Sequence, residues 1–180
     1  QLFDEVQQRT AEVTEALEQQ TATAEVLEVI SNSVEDAQPV FDKILESCQR
    51  VIPCSDMSIL TIEADNLVHL GAVHGPIGTA SAKGYKPLPV AQTIIHSAVE
   101  AGKLVYVQDA LEGLSSNKVV RNVAKKVGNY AALIAPMMWK GKAVGALHLA
   151  RPYTDQGKSA FLQREMEMLE SFADQAVIAI

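Results

Sequence analysis

The chain has little of what usually announces a chemistry. Only two of its 180 residues are cysteine, Cys48 and Cys54, with no second CxxC-like pair and no histidine at zinc-finger spacing. Neither a disulfide framework nor a structural metal site is indicated, and a reducing cytoplasm is the expected setting. Lys and Arg number 15 against 22 Asp and Glu, giving a formal charge of -7. That balance lacks the clustered cations that grip a phosphate backbone, so no nucleic-acid partner is expected. No apolar run reaches the roughly 18 residues of a spanning helix. The chain opens on the acidic, Gln-rich QLFDEVQQR rather than a basic targeting segment, and no direct membrane contact is expected.

Catalytic patterns are missing too. Ser115 and Ser116 stand without a Gly-x-Ser-x-Gly elbow, "HGPIG" and "KKVGN" are not phosphate-cradling glycine patterns, and no carboxylate pair accompanies a histidine in a recognisable motif. A non-catalytic protein is expected.

Glycine and proline are absent from the first 31 residues, which are rich in Glu, Gln and Ala. Phe3, Val6, Thr10, Val13, Leu17, Gln20, Ala24 and Leu27 recur there at spacings of three and four, the narrow seam of a coiled coil. A helix packed on its own domain is the alternative. Ser31, Asn32 and Ser33 interrupt the pattern, which divides the chain into a linker helix (1–31) and a domain (32–180). "EDAQPVFDKILESCQRVI" reads as a fresh helix with Pro39 in its first turn, Cys48 as a small buried hydrophobe, and Pro53 as its end.

The period then changes to two. "DMSILTIEA" and "NLVHLGAVHG" flank the turn-prone Asp65-Asn66, and "YAALIAPMMWKGKAVGALHLA" flanks Lys140-Gly141-Lys142, so each reads as an antiparallel hairpin. Between them come a short helix stopped by Gly102, a strand "KLVYVQD", and a polar loop "EGLSSNKVVRNVAKKVGN" with a helical turn or two. A last helix is expected after Thr154 or Asp155. The order of elements predicts an α+β domain with a central antiparallel sheet and long helices at both ends.

"LIAPMMWKGKAVGALHLARPYTD" resembles the closing hairpin of GAF domains, the small-molecule-binding and dimerisation modules of signalling proteins. "LESFADQAVIAI" resembles the start of their output helix, and "ATAEVLEVISNSVEDAQPVFDKILESCQRV" the linker and first helix that precede them in bacterial sensor kinases and cyclases. The resemblance implies terminal helices on one sheet face and a ligand pocket, roofed by the middle helix and loops, on the other. It implies a sensory module, binding a small ligand or serving as a dimerisation spacer, joined to an effector such as a histidine kinase or nucleotide cyclase. Fold alone does not fix the ligand.

Ligand signatures known in the family match poorly. Asn117-Lys118 begins a cyclic-nucleotide-like phrase, but Val119, Val120 and Arg121 follow in place of its aromatic and acidic residues. Both cysteines precede or enter the first strand, away from where a bilin would be attached, and neither resembles the middle-loop thiols of the methionine-sulfoxide reductases in the family. Haem stays open because four histidines are present, His69, His74, His96 and His148. None has metal-specifying spacing. His148 alternates with Ala146 and Ala150, small neighbours that leave room above it. The pocket candidates are His74, Tyr85, His96, Tyr106, Tyr130, Met138 and His148, which join apolar area to polar tips.

In the last helix Leu162, Met166, Leu169, Ala173, Ala176 and Ile180 form a seam, beside Phe161, Met168 and Phe172, which suit the sheet. A parallel homodimer is expected, through Val6, Val13, Leu17 and Leu27 in the first helix and the seam in the last, with the last helix running on into an effector.

Overall fold

A computed structural model describes residues 2–32, 37–114, 117–153 and 160–180. The break expected at Ser33, the loop serines Ser115 and Ser116, and the helix start expected at Thr154 or Asp155 lie outside these residues.

The Gly- and Pro-free opening forms one helix, α1 (Leu2–Asn32), which its Ala, Glu and Gln content favours. Helix α2 (Gln38–Val51) carries Pro39 in its first turn and buries Val40, Phe41, Ile44, Leu45 and Cys48 along one face. Strands β1 (Asp56–Ile62) and β2 (Leu67–His74) make the first hairpin. In its turn Asn66 takes φ 59° and the Asp65 carboxylate accepts from Leu67 N at 2.9 Å. A short helix α3 (Pro76–Ala82), strand β3 (Leu88–Pro89) and a 3-10 turn at Val90–Gln92 follow. Helix α4 (His96–Ala101) ends at Gly102 with φ 60°, the left-handed cap that glycine tolerates best. After β4 (Val105–Val107) come α5 (Ala110–Gly113) and α6 (Lys118–Val127). The second hairpin, β5 (Tyr130–Trp139) and β6 (Lys142–Pro152), turns through Lys140 and Gly141, both at positive φ, as a two-residue primed turn requires. Helix α7 (Gln163–Val177) is the last regular element among the described residues.

The strands form one antiparallel sheet in the order β3-β2-β1-β6-β5-β4. Strands β1 and β6 are central, with Ile59 opposite Leu147 and Ser58 opposite His148. Side chains alternate across the pleat. Met57, Ile59, Leu147 and Leu149 therefore point to one face, where they form the main core with Phe41 and Ile44 of α2, Leu169 and Phe172 of α7, and Ala22 and Val26 of α1. Asp56, Ser58, His148 and Ala150 point to the other. In β2, Gly71 is the extra residue of a bulge, since Ile59 pairs with Ala72 and Leu60 with Leu70. The bulge reverses the parity, so Ala72 joins the helix-side core while Leu70 and Val73 both face the opposite side.

Two expectations need correction. The segment read as a loop with a turn or two holds the ten-residue α6, whose first turn is capped by the Asn117 side chain, accepting from Val119 N at 3.0 Å and Val120 N at 3.2 Å. Helix α7 itself begins at Gln163. Its proposed free seam is largely covered: Leu169, Ala173 and Ala176 are at most 1% exposed, packed with α1 and α2 of the same chain. The physical reason is that α7 has helices and sheet around most of its circumference, so a three-four stripe serves the chain's own core. Met166 is partly buried against that core, and Leu162 is exposed.

Helix α1 behaves differently. Phe3, Val6, Val13, Leu17 and Leu27 are all exposed, and among the described side chains of α1 only Ala22 and Val26, off the seam, are buried. The C-terminal half of α1 is held by these two and by Glu25, which Arg50 meets at 2.5 Å and Lys43 at 2.9 Å. Those cations, Arg50 foremost, pull the Glu25 pKa down to about 2.

Candidate functional site

On the sheet face away from α1, α2 and α7, the valine stripe of α6 and the segment around Tyr85 close over β1, β2 and β6. They leave a cavity of about 140 Å³. Val119, Val120 and Val123 form its roof, Leu60, Leu70 and Val73 much of its floor, and Tyr85 and Ile94 its side. The α6 roof exists because that helix has valines on one face and Lys118, Arg121 and Lys125 on the other.

His148 is the chemical centre of this space. The register places it beside Ser58, whose Oγ lies 3.3 Å from Nδ1, while Nε2 is shielded from solvent and has no hydrogen-bond partner among the described residues. Burial pushes the imidazole pKa down to about 4, slightly opposed by Asp56, so the ring is neutral at physiological pH. Asp56 is committed to structure: its carboxylate accepts from Gly78 N at 3.0 Å in the first turn of α3 and from Ser55 Oγ at 3.1 Å. Tyr85 donates to Val68 O at 2.9 Å. Tyr130 lines the same cavity, its pKa raised to about 12 by burial.

Of the seven sequence candidates, the fold brings Tyr85, Tyr130 and His148 to the cavity. The other four lie elsewhere. Tyr106 faces the helix side, where its hydroxyl accepts from Phe161 N at 3.1 Å and its ring meets Phe161 edge-on at 5.9 Å. Val105 and Val107, its neighbours in the pleat, take the cavity side of β4. Met138 is next to Gly102, at the end of α4. His96 opens α4 and is exposed, 3.8 Å from Glu100, beside a more polar groove. His74 ends β2 opposite Met57 and does not line the cavity. Sequence reasoning missed Ser58 and the α6 valines; the alternation of β1 and the Asn117 cap were the signals that pointed to them.

A larger groove of about 830 Å³ lies between the first half of α1 and the start of α7, among Glu15, Glu18, Arg50 and Arg164. It is an open cleft left by a projecting helix, crossed by an exposed Arg164–Glu15 pair at 2.8 Å, and none of its described lining residues has a buried side-chain polar atom without a partner. Among the described residues no cluster of metal-ligating side chains occurs. Neither thiol reaches the cavity: Cys48 is buried in the helix-side core, and burial raises Cys54 to about 12.

A small cavity between an antiparallel sheet and its roofing helix, with the terminal helices banked on the opposite face, defines an α+β domain with a central antiparallel sheet. The GAF domain family matches residues 36–180, and the chain belongs to it. Solved structures agree at the level of fold. The GAF domain of a phosphoenolpyruvate-protein phosphotransferase from Coxiella burnetii aligns with TM-score 0.70 at 14% identity, covering 90% of this chain and 92% of that one. A domain of a two-component sensor histidine kinase protein from Sinorhizobium meliloti 1021 aligns with TM-score 0.59 at 15% identity, over 79% and 89%. Free methionine-R-sulfoxide reductase from Neisseria meningitidis, solved with its substrate, aligns with TM-score 0.67 at 12% identity, over 92% and 89%. No curated protein matches the chain. No helix among the described residues is long and apolar enough to cross a membrane.

Proposed function

We propose that this GAF domain is a non-catalytic regulatory sensor, which binds a small ligand in the cavity under α6 and pairs with a second copy through α1. The observation that carries the reading is the unpaired Nε2 of His148 inside an apolar cavity. A buried polar atom without a partner is costly, and a site that fills on binding accounts for it. A bilin, a haem or a cyclic nucleotide needs more room than this space offers, since ligand pockets commonly run ~300–1,000 Å³.

The exposed stripe from Phe3 to Leu27 supports the dimer. An uncovered apolar row on a 31-residue helix is the usual mark of a helical partner. The covered seam on α7 leaves that helix to carry movement of the sheet onward, toward an effector of the histidine-kinase or nucleotide-cyclase kind in a cytoplasmic signalling protein. A thiol-based reductase reading lacks a thiol at the cavity. The second reading is a dimerisation spacer with a collapsed pocket, and the small cavity volume favours it.

Native mass spectrometry with a visible spectrum, followed by a thermal-stability screen, separates the two. A bound small mass or a ligand-dependent rise in melting temperature supports the sensor, because binding only the native state stabilises it by mass action. An apo dimer that no ligand stabilises supports the spacer. A monomer at micromolar concentration refutes the α1 interface.

A further inference from the structure

The hydrogen-bonding inventory of the cavity specifies what kind of molecule fits it. Ser58 Oγ has His148 Nδ1 as its hydrogen-bond partner, at 3.3 Å. If the hydroxyl donates to Nδ1, its proton and the Nδ1 lone pair are both satisfied and only Nε2–H is left over. With the other tautomer, Nδ1–H donates to Oγ, and both the serine proton and the Nε2 lone pair lack partners. The first arrangement leaves fewer orphaned groups, so Nε2 carries the proton and presents a donor to the cavity.

Three further features narrow the ligand. No Lys or Arg lines the cavity and Asp56 does, which disfavours an anion. The remaining walls are valine, leucine, isoleucine, tyrosine, methionine, alanine and glycine. A volume of about 140 Å³ is close to the ~150 Å³ apolar cavity known to accept benzene. We propose that the cavity takes an uncharged, ring-sized, mainly apolar molecule with one hydrogen-bond acceptor of the carbonyl type, held by His148 Nε2–H. This rests on the sensor reading above and names the ligand class for the same site.

Cyclohexanone and methylenecyclohexane form a matched pair of probes, alike in shape and differing only in an oxygen for a CH2 group; benzoate serves as an anionic ring. Affinities to the intact chain are measured by calorimetry or fluorine-free NMR titration, with the His148 imidazole nitrogens followed in uniformly 15N-labelled protein. Cyclohexanone is expected to bind on the order of tenfold more tightly than methylenecyclohexane, about one net hydrogen bond. It should also shift the Nε2–H resonance, and benzoate should not bind. His148→Leu should abolish the preference while methylenecyclohexane still binds. The tautomer and the probe titration on the unmodified chain decide the matter even if that variant fails to fold.

Equal affinity for the two cyclic probes, tighter binding of benzoate, binding of neither cyclic probe, or a proton on Nδ1 instead of Nε2 overturns the proposal. A screen of anionic metabolites on the same sample distinguishes the two failures. Stabilisation by a different class leaves the sensor reading standing without this ligand class, whereas no stabilisation by anything removes both.

Discussion

Arg151, at the end of β6, holds the start of α7 to the sheet, and its removal should be felt strongly. Its Nη2 meets Glu165 Oε1 at 2.8 Å with side-chain exposures of 16% and 8%. Nε donates to Pro53 O and Nη1 to Ala160 O, both at 2.7 Å, and the guanidinium stacks 4.1 Å from the centre of the Phe161 ring. Glu165 in turn accepts from Leu162 N at 2.7 Å and so caps the helix. Arg151→Met leaves a buried carboxylate with that one backbone donor. Breaking a buried pair from one side costs ~3–5 kcal/mol, and the surviving cap bond argues for the lower end, about 3 kcal/mol.

With an m-value of roughly 2–3 kcal/mol/M in urea, the unfolding midpoint should fall by about 1–1.5 M. Arg151→Met combined with Glu165→Met removes the stranded charge and should recover about half of the loss, because only the cap and the carbonyl contacts are then missing. Arg151→Lys should behave like a partial loss, since one ammonium cannot reach Pro53, Ala160 and Glu165 together. A midpoint within about 0.3 M of the parent for Arg151→Met, or a double variant weaker than the single one, would refute the clasp.

Three other outcomes are expected. Because burial lowers the His148 pKa from 6.5 to about 4, the unfolded chain binds a proton that the folded chain refuses. Stability is complete above about pH 6.5 and falls toward pH 4 by at most about 3 kcal/mol; Glu25, depressed from 4.5 to about 2, acts in the opposite sense to a raised acid and weakens the fold only below about pH 4.5. Urea titrations of the parent and His148→Leu at several pH values should therefore diverge in slope between about pH 5 and 6.5. Leu17→Asp, on the exposed stripe, should lower the dimer fraction in sedimentation with little change in melting, whereas Leu169→Asp, buried in the core, should cost at least ~4 kcal/mol and unfold the domain. Gly145→Ala places a methyl group against Leu60 O and the end of the Met137 side chain, forcing β1 and β6 apart; a loss of ~2–3 kcal/mol is expected in thermal melts.

The hairpins were legible in the sequence because period-two patterning and turn residues agree: Asp65-Asn66 and Lys140-Gly141 do what their types allow. His148 was legible as a cavity residue for the same reason, since its i±2 neighbours are alanines. Tyr106 was not. In a three-residue strand, parity says that Tyr106 opposes Val105 and Val107 but not which side is the pocket, and the amide of Phe161 supplied its hydroxyl with a partner on the helix side. Helix α6 was hidden by its polar composition; its valines are β-branched and weak helix formers alone, and burial over the sheet supplies what propensity does not. The stripe on α7 shows a different limit. A three-four spacing marks an apolar face, but whether a second copy or the chain's own α1 and α2 covers it depends on contacts far apart in sequence.

The pleat joins the two halves of the proposed function. On β6, His148 and Ala150 face the cavity, while Leu147 and Leu149 between and beside them are fully or almost fully buried in the core that includes Leu169 and Phe172 of α7. Arg151, next in line, clasps Glu165. Interiors this close-packed do not absorb a displacement locally. A ligand that draws on His148 therefore acts on the same strand that seats and clasps the exit helix, with β1 repeating the arrangement through Ser58 beside Met57 and Ile59. The roof helix α6 has no such position: its buried Val120 and Ala124 pack with Tyr130, Ala132 and Ala150 on the cavity side. Movement of α6 can open or close the site, but movement of β6 is what the opposite face can feel, which makes the His148 and Arg151 perturbations the pair that tests coupling. A ligand effect on α7 exchange rates that survives Arg151→Met but disappears in His148→Leu would assign the coupling to the Leu147 and Leu149 packing; loss in both would assign it to the clasp as well.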